Sequence, residues 1–174
     1  MSSAGYDFSV VPPEVDESII EGESPVDYVV RISESKARAV ERGNGDVVLA
    51  ADTTVVLEGD VIGKPLDAAH AVDILMRLAG RTHSVLTGWH IVSDQGERFG
   101  VDESRVRFRP RNEEELVDYV ERTQPLDKAG AYGIQGDNGW LIESVAGSRA
   151  NVMGLPVKTI VRELAELGVE RSAP

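Results

Sequence analysis

Cysteine is missing from all 174 residues, which excludes disulfides, thiolate metal sites and a cysteine nucleophile. Histidine is nearly as scarce: His70, His83 and His90 stand at spacings that do not build a metal site, so holding a divalent ion falls to carboxylates. No stretch approaches the roughly 18 consecutive apolar residues of a membrane span, and Met1 to Tyr6 lacks the basic start and apolar run of a secretion signal. Positive charge is also short. With 18 Lys+Arg against 30 Asp+Glu the formal net charge is −12, a field that repels nucleic acid polymers and anionic membranes. These absences predict a cytoplasmic protein whose partner is a small molecule.

What is there is an ordinary globular balance, 41% hydrophobic and 28% charged, without repeats or low-complexity tracts. One domain over residues 1–174 is expected. At about 150 residues a domain buries roughly 70% of its unfolded surface, so no metal is needed merely to hold it together.

Alternation predicts a short strand over Tyr6 to Val11, closed by Pro12-Pro13. Ser24 as cap and Pro25 at the first position predict a helix to about Arg42, stopped by Gly43, with Val26, Val29, Val30, Ser33, Ala37 and Val40 on its inner face. Val47 to Leu57 is apolar and β-branched nearly throughout, the pattern of a strand buried on both sides. Gly59-Asp60 reads as a turn returning through Val61-Ile62-Gly63. Asp67 caps a second helix with an inner stripe of Val72, Leu75, Met76 and Ala79. Strands at His83–Ser93 and Arg98–Phe108, a helix opened by an Asn112/Glu115 capping box, a strand near Trp140–Val145 and a helix over Pro156–Leu167 complete the chain. The sum is an α/β domain with a mixed central sheet and flanking helices.

Asp52 is the residue that breaks the pattern. It interrupts a strand with the marks of burial, and a desolvated carboxylate requires compensation by a cation or by hydrogen bonds from Thr53, Thr54 or the backbone. A two-residue turn at Gly59-Asp60 would set Lys64 opposite Val55, close to Asp52 but on the other face unless the strand end at Pro65 re-aims it. Lys36 flanks the inward face of its helix, beside Ser33 and Val40. Glu17 lies in an acidic loop. Lys128-Ala-Gly-Ala-Tyr-Gly-Ile-Gln-Gly136 is too rich in glycine for a helix and too apolar for a linker; Gly133 permits close backbone approach and Gln135 can read a base edge or orient a water. Arg105, Arg107 and Arg109 share one strand face, solvated or turned to phosphate. No nucleophile elbow, P-loop or dinucleotide fingerprint is present. Two carboxylates with two lysines suit phosphoryl or nucleotidyl chemistry around Mg²⁺ or Mn²⁺.

The same residues carry a resemblance. Leu49-Ala-Ala-Asp-Thr-Thr-Val-Val-Leu-Glu-Gly-Asp-Val-Ile-Gly-Lys-Pro65, Leu78-Ala-Gly-Arg-Thr-His83 with Thr87-Gly88, the Lys128–Gly136 block and Asn151-Val-Met-Gly-Leu-Pro156 resemble successive blocks of the Maf family of nucleoside triphosphate pyrophosphatases. Val15-Asp-Glu17 and Ser35-Lys-Ala37 resemble that family's first acidic and lysine motifs. The similarity runs over about residues 5–168.

The resemblance implies two lobes around a nucleotide cleft, related in shape to inosine triphosphate pyrophosphatases. It implies metal-dependent hydrolysis of a nucleoside triphosphate to monophosphate and pyrophosphate. Glu17, Lys36, Asp52, Lys64 and Gln135 would be catalytic, with Glu17 and Asp52 holding Mg²⁺ or Mn²⁺ and Thr53, Gly133 and Gln135 contacting substrate. The Gly-Ile-Gln-Gly form resembles the branch acting on dTTP, UTP and modified pyrimidine nucleotides, and the family suggests a homodimer. The family's opening strand and Ser-Pro-Arg-Arg block have no counterpart here, which gives the expectations that Met1 is internal to a longer natural chain and that a further central strand precedes it. The alternative is a nucleotide-binding or regulatory protein with impaired turnover, linked to septum formation.

Overall fold

The computed structural model describes residues 1–171. In chain order it contains α1 (Pro25–Arg38), β1 (Val48–Leu57), β2 (Asp60–Ile62), α2 (Ala68–Leu78), β3 (Thr82–Ser93), β4 (Gly96–Phe108), α3 (Glu113–Thr123), β5 (Ile142–Ala146), α4 (Arg149–Val152) and α5 (Val157–Glu166), with single 3₁₀ turns at Ser2–Ala4 and Ala129–Ala131. The strands form one sheet in the order β2-β1-β3-β4-β5. The expected α/β architecture is borne out, and in place of a mixed sheet each of the four pairings is antiparallel. None of the described helices is long and apolar enough to cross a membrane.

Register and alternation divide the layers. Thr53 pairs with Thr87 and Thr87 with Asp102, so the odd positions of β1 and β3 share a face with the even positions of β4. That face carries both cores. At one end Val55, Leu57, Val85, Val106 and Phe108 meet α2, α3 and the glycine-rich segment. At the other Trp89 and Ile91 meet Ile160 and Leu164 of α5 and the isolated Tyr6. The two groups are the lobes, joined by continuous strands. Asp102 fastens the second lobe, accepting from Trp89 Nε1 at 3.0 Å and from Thr159 Oγ1 at 2.8 Å. Inside the first, His83 donates to or accepts from the Tyr132 hydroxyl at 2.9 Å and packs edge-on to Phe108; burial holds its pKa down at about 4, so it is neutral at physiological pH.

The reverse face belongs to α1. Its start is as expected, with Ser24 Oγ accepting from the Asp27 N–H and Pro25 in the first turn. Its end comes at Arg38, a turn earlier than Arg42, and Arg42 is drawn off to the Asp46 carbonyl and to Asp94 at the β3–β4 turn. Val29, Ile32, Ser33 and Ala37 are its buried residues, while Val26 is exposed. In α2 the buried stripe is Ala71, Ile74, Leu75 and Leu78, turned away from the expected one, and Met76 faces out.

Three expectations for strands are corrected. Residues 6–11 form no strand: Phe8, Val10 and Val11 are exposed, and alternation without a partner edge does not make one. The hairpin turn is Glu58-Gly59, both at positive φ (55° and 96°), so Val55 lies opposite Ile62 rather than Lys64. The first six residues of β1 are only half-buried, because β2 pairs with Val55 to Leu57 alone and leaves the outer edge of residues 48–54 without a strand.

The close seating of α1 depends on one glycine. A Cβ on Gly88, which pairs with Asp52 across β1 and β3, would overlap the Val29 carbonyl and lie 2.9 Å from the Val30 nitrogen. Both obstacles are main chain and cannot swing aside. Gly88→Ala is predicted to lower unfolding free energy by about 3 kcal/mol or more in urea titrations. An unchanged midpoint would show that α1 does not lie this close to the sheet.

Candidate active site

An edge strand can offer both of its faces to one hollow, and β1 does so where β2 stops. A cavity of about 450 Å³ is lined by Ala51, Thr53 and Val55 from one face and by Asp52 from the other. Its far wall is Tyr132, Gly133, Ile134 and Gln135 of the glycine-rich segment together with Met153 and Gly154. Thr53 Oγ1 lies 2.8 Å from Thr87 Oγ1, and Thr87 in turn donates to the Asn151 carbonyl at 3.3 Å, which fixes α4 behind the cavity. Asn151 itself is fully buried and donates to the Val85 carbonyl and Ser104 Oγ, both at 3.1 Å.

The cation that Asp52 requires comes from α1. Lys36 Nζ is 2.7 Å from Asp52 Oδ1 and 2.6 Å from Glu17 Oε1, so one ammonium bridges two carboxylates. The Asp52 side chain is 11% exposed and Lys36 18%, against 42% for Glu17. These environments separate the two acids. Glu17 is held below the usual range by its hydrogen bond to Lys36, which outweighs its partial burial. For Asp52 burial is the larger influence, the Lys36 hydrogen bond and charge oppose it, and the like charge of Glu17 adds to it; the balance raises the carboxyl. Lys36 is pushed down by burial but more strongly up by its two partners, so it stays charged. The arrangement is one tightly paired acid and one buried acid made more basic than normal, a separation of the sort that assigns roles in hydrolytic sites.

Lys64 reaches this cluster as the sequence required, by leaving the ladder. β2 ends two residues earlier at Ile62, and the Gly63 carbonyl is tied by the Gly130 N–H at 3.1 Å. Gly130 is needed there: its φ is 73°, and a Cβ would meet Val55 Cγ2 at 2.9 Å. Lys64 acts on Asp52 and Glu17 through space, and lowers both. Gln135 is exposed on the opposite wall, its amide donating to Met153 Sδ at 3.3 Å. The seven residues to which the resemblance gives roles therefore converge: Asp52, Thr53, Lys64, Gly133 and Gln135 line the cavity, and Glu17 and Lys36 stand just behind Asp52, whereas Arg105, Arg107 and Arg109 lie outside it against Glu103, Glu143 and the Gly139 carbonyl.

The chain matches the family described as Maf-like protein over residues 1–167. It belongs to the Maf family. A dTTP/UTP pyrophosphatase of Symbiobacterium thermophilum is 46% identical over 169 residues, covering 97% of this chain and 87% of the relative. The dTTP/UTP pyrophosphatase of Hahella chejuensis is 43% identical over 174 residues, covering 98% and 87%, and that of Aquifex aeolicus 40% over 170, covering 97% and 89%. Three of the Maf blocks seen in the sequence, Leu49–Pro65, Lys128–Gly136 and Asn151–Pro156, supply most of the cavity lining.

Three residues around the site had been given no role. Tyr28 donates its hydroxyl to the Glu17 carbonyl at 3.1 Å, pinning the acidic loop to α1; its spacing from Ile32 and Lys36, four and eight residues, was the available signal. Asp127 and Lys128 line the cavity, and the signal for them was that Lys128 opens the glycine-rich block and Asp127 precedes it.

Lys36→Met is predicted to destabilise the protein by about 3 kcal/mol, since Asp52 is then left buried without its cation. Asp52→Asn in that background should recover a good part of the loss in urea unfolding. Simple additivity of the two single changes would show that the pair is not coupled.

Proposed function

We propose that this Maf protein hydrolyses nucleoside triphosphates, dTTP and UTP with their modified pyrimidine relatives foremost, to the monophosphate and pyrophosphate. The observation that carries the reading is Asp52: a mostly covered carboxyl of raised basicity, at the wall of a nucleotide-sized cavity, with Lys36 and Lys64 beside it. The names of its relatives support the choice of substrate.

Asp52 orients a water and accepts its proton. The water oxygen bonds to phosphorus, the bond between the α- and β-phosphoryl groups breaks, and pyrophosphate leaves with the bridging oxygen. Lys64 offsets the charge that accumulates on the phosphate oxygens as that bond breaks, and Lys36, bonded to Asp52 and Glu17, adds to this through space. Thr53 and the Gly133 backbone line the bed for the nucleoside, and Gln135 supplies one donor and one acceptor for a base edge.

The donor set fits a divalent cation. No group of three or more metal-binding side chains occurs among the described residues, but Glu17 and Asp52 already converge on one positive charge, the Lys36 ammonium. Mg²⁺ and Mn²⁺ are commonly held by one or two carboxylates, with water and substrate phosphates completing the shell. Glu17 and Asp52 would hold the ion, which supplies charge neutralisation and Lewis acidity toward the phosphates.

With dTTP and Mg²⁺ the protein is expected to release pyrophosphate and thymidine monophosphate. Asp52→Asn should reduce kcat by roughly 100-fold or more while dTTP still binds. Because Asp52 must be deprotonated to accept a proton, and its pKa lies above the ordinary 3.8, wild-type activity should fall on the acid side before that value is reached. Wild-type turnover in Asp52→Asn, measured by pyrophosphate release, would remove Asp52 from this role.

A further inference from the structure

We propose that Lys128 is an additional phosphate-binding residue of this site, held by Asp127 in the free protein and transferred to the phosphate oxygens when substrate binds. The inference rests on the pyrophosphohydrolase reading and extends it to a residue that reading does not use.

It begins from how few free cations the described residues bring to the cavity. The cavity must take a polyanion, yet Lys36 is already bonded to two carboxylates, Asp52 and Glu17. Lys64 is the cation that acts on them only through space. Asp127 and Lys128 line the same cavity as Lys64 and Asp52. From behind Asp52 into the hollow the interacting charges are thus Glu17, Lys36, Asp52, Lys64, Asp127 and Lys128, alternating in sign, and the carboxyl of Asp127 is held down by Lys128 first and by Lys64 as well.

The Lys128 end of this series is the easiest to break. Its ammonium sits 2.6 Å from Asp127 Oδ1, but the two are adjacent in sequence and exposed, 46% and 75%, where an ion pair contributes little and is readily exchanged. Lys36 is mostly covered and satisfied twice, so it has no such freedom. The Lys128 stem is meanwhile directed along the cavity: its Cδ and Cε lie 3.4 and 3.3 Å from where a Cβ would stand on Gly133. A side chain at position 133 would press on that stem and make it give by a few tenths of an ångström, so the glycine favours its running this close to the loop that carries Gln135. Exchanging Asp127 for a phosphate oxygen requires only rotation of the end of a flexible side chain, and a phosphate offers more negative charge than one carboxylate.

The test uses inorganic pyrophosphate with Mg²⁺ as a non-reacting probe in calorimetry, beside dTTP kinetics. Lys128→Met should weaken pyrophosphate binding roughly tenfold and raise KM for dTTP by a similar factor, with kcat changed far less. Lys128→Arg, which keeps the charge, should stay within about threefold of wild type. Asp127→Asn should tighten pyrophosphate binding, and that gain should shrink in the Lys128→Met background, because it arises through the released lysine. The exposure of Lys128 predicts unchanged melting in all variants, which separates this effect from misfolding. Pyrophosphate affinity of Lys128→Met within about twofold of wild type, or an Asp127→Asn gain that persists without Lys128, would overturn the proposal while leaving Asp52 chemistry standing. A wild-type protein that neither binds pyrophosphate nor cleaves dTTP would overturn the parent reading, and this one with it.

Discussion

Lys36 is the point through which the site is assembled, because its single ammonium is the charge that makes a buried Asp52 tolerable and also draws in Glu17 from a loop that lacks secondary structure. Glu17 is held by no ladder or cap, and Asp52 is fixed only through its backbone, which pairs with Gly88 between β1 and β3. Asp52 projects from β1 toward α1, and Glu17 is steadied by Lys36 and by the hydroxyl of Tyr28 on the same helix. The position of α1 is in turn set by Gly88, whose missing side chain lets the helix backbone lie against the sheet beside Asp52. A packing constraint on the reverse face of the sheet thereby becomes an electrostatic condition at the cavity.

The unpartnered edge of β1 is the second condition. Were β2 long enough to pair along Val48 to Thr54, Asp52 and Thr53 could not border the same hollow, and Lys64 would be locked in a ladder on a fixed face. The hairpin stops instead at Ile62, Gly130 ties down Gly63, and Lys64 is released into the charged series. Both lobes stand on the other face of the same three long strands, so the cavity walls are carried on continuous backbone rather than on a linker.

Much of this was legible in the sequence where one local rule acted alone. The Ser24-Pro25 start of α1, the Asp67 cap and the Asn112/Glu115 capping box appear as read. Asp52 was conspicuous because a carboxylate within a β-branched run needs a partner. The misreadings are of relations between elements. Tyr6 to Val11 alternates like a strand but meets no edge, and the inner faces of α1 and α2 are rotated because helix azimuth is set by what the helix lands on, Gly88 in the case of α1. The turn moved to Glu58-Gly59 because Glu58 accepts a positive φ, a choice that residue preference does not reveal. Lys128 opens a block that the sequence marks, but its own role stays hidden for a similar reason: it depends on which other lysines are already paired.

The central claim is that burial, rather than the bond to Lys36, governs the basicity of Asp52 and so suits it to take a proton from water. Carbon-13 NMR of the Asp52 carboxyl, labelled in the intact protein and followed through an acid titration, measures this directly. The account predicts a midpoint above the ordinary aspartate value of 3.8, moving down when Glu17→Gln removes the neighbouring like charge. A midpoint below 3.8 would mean that the ion pair dominates and that Asp52 is a structural counter-ion to Lys36, contradicting its role as the base.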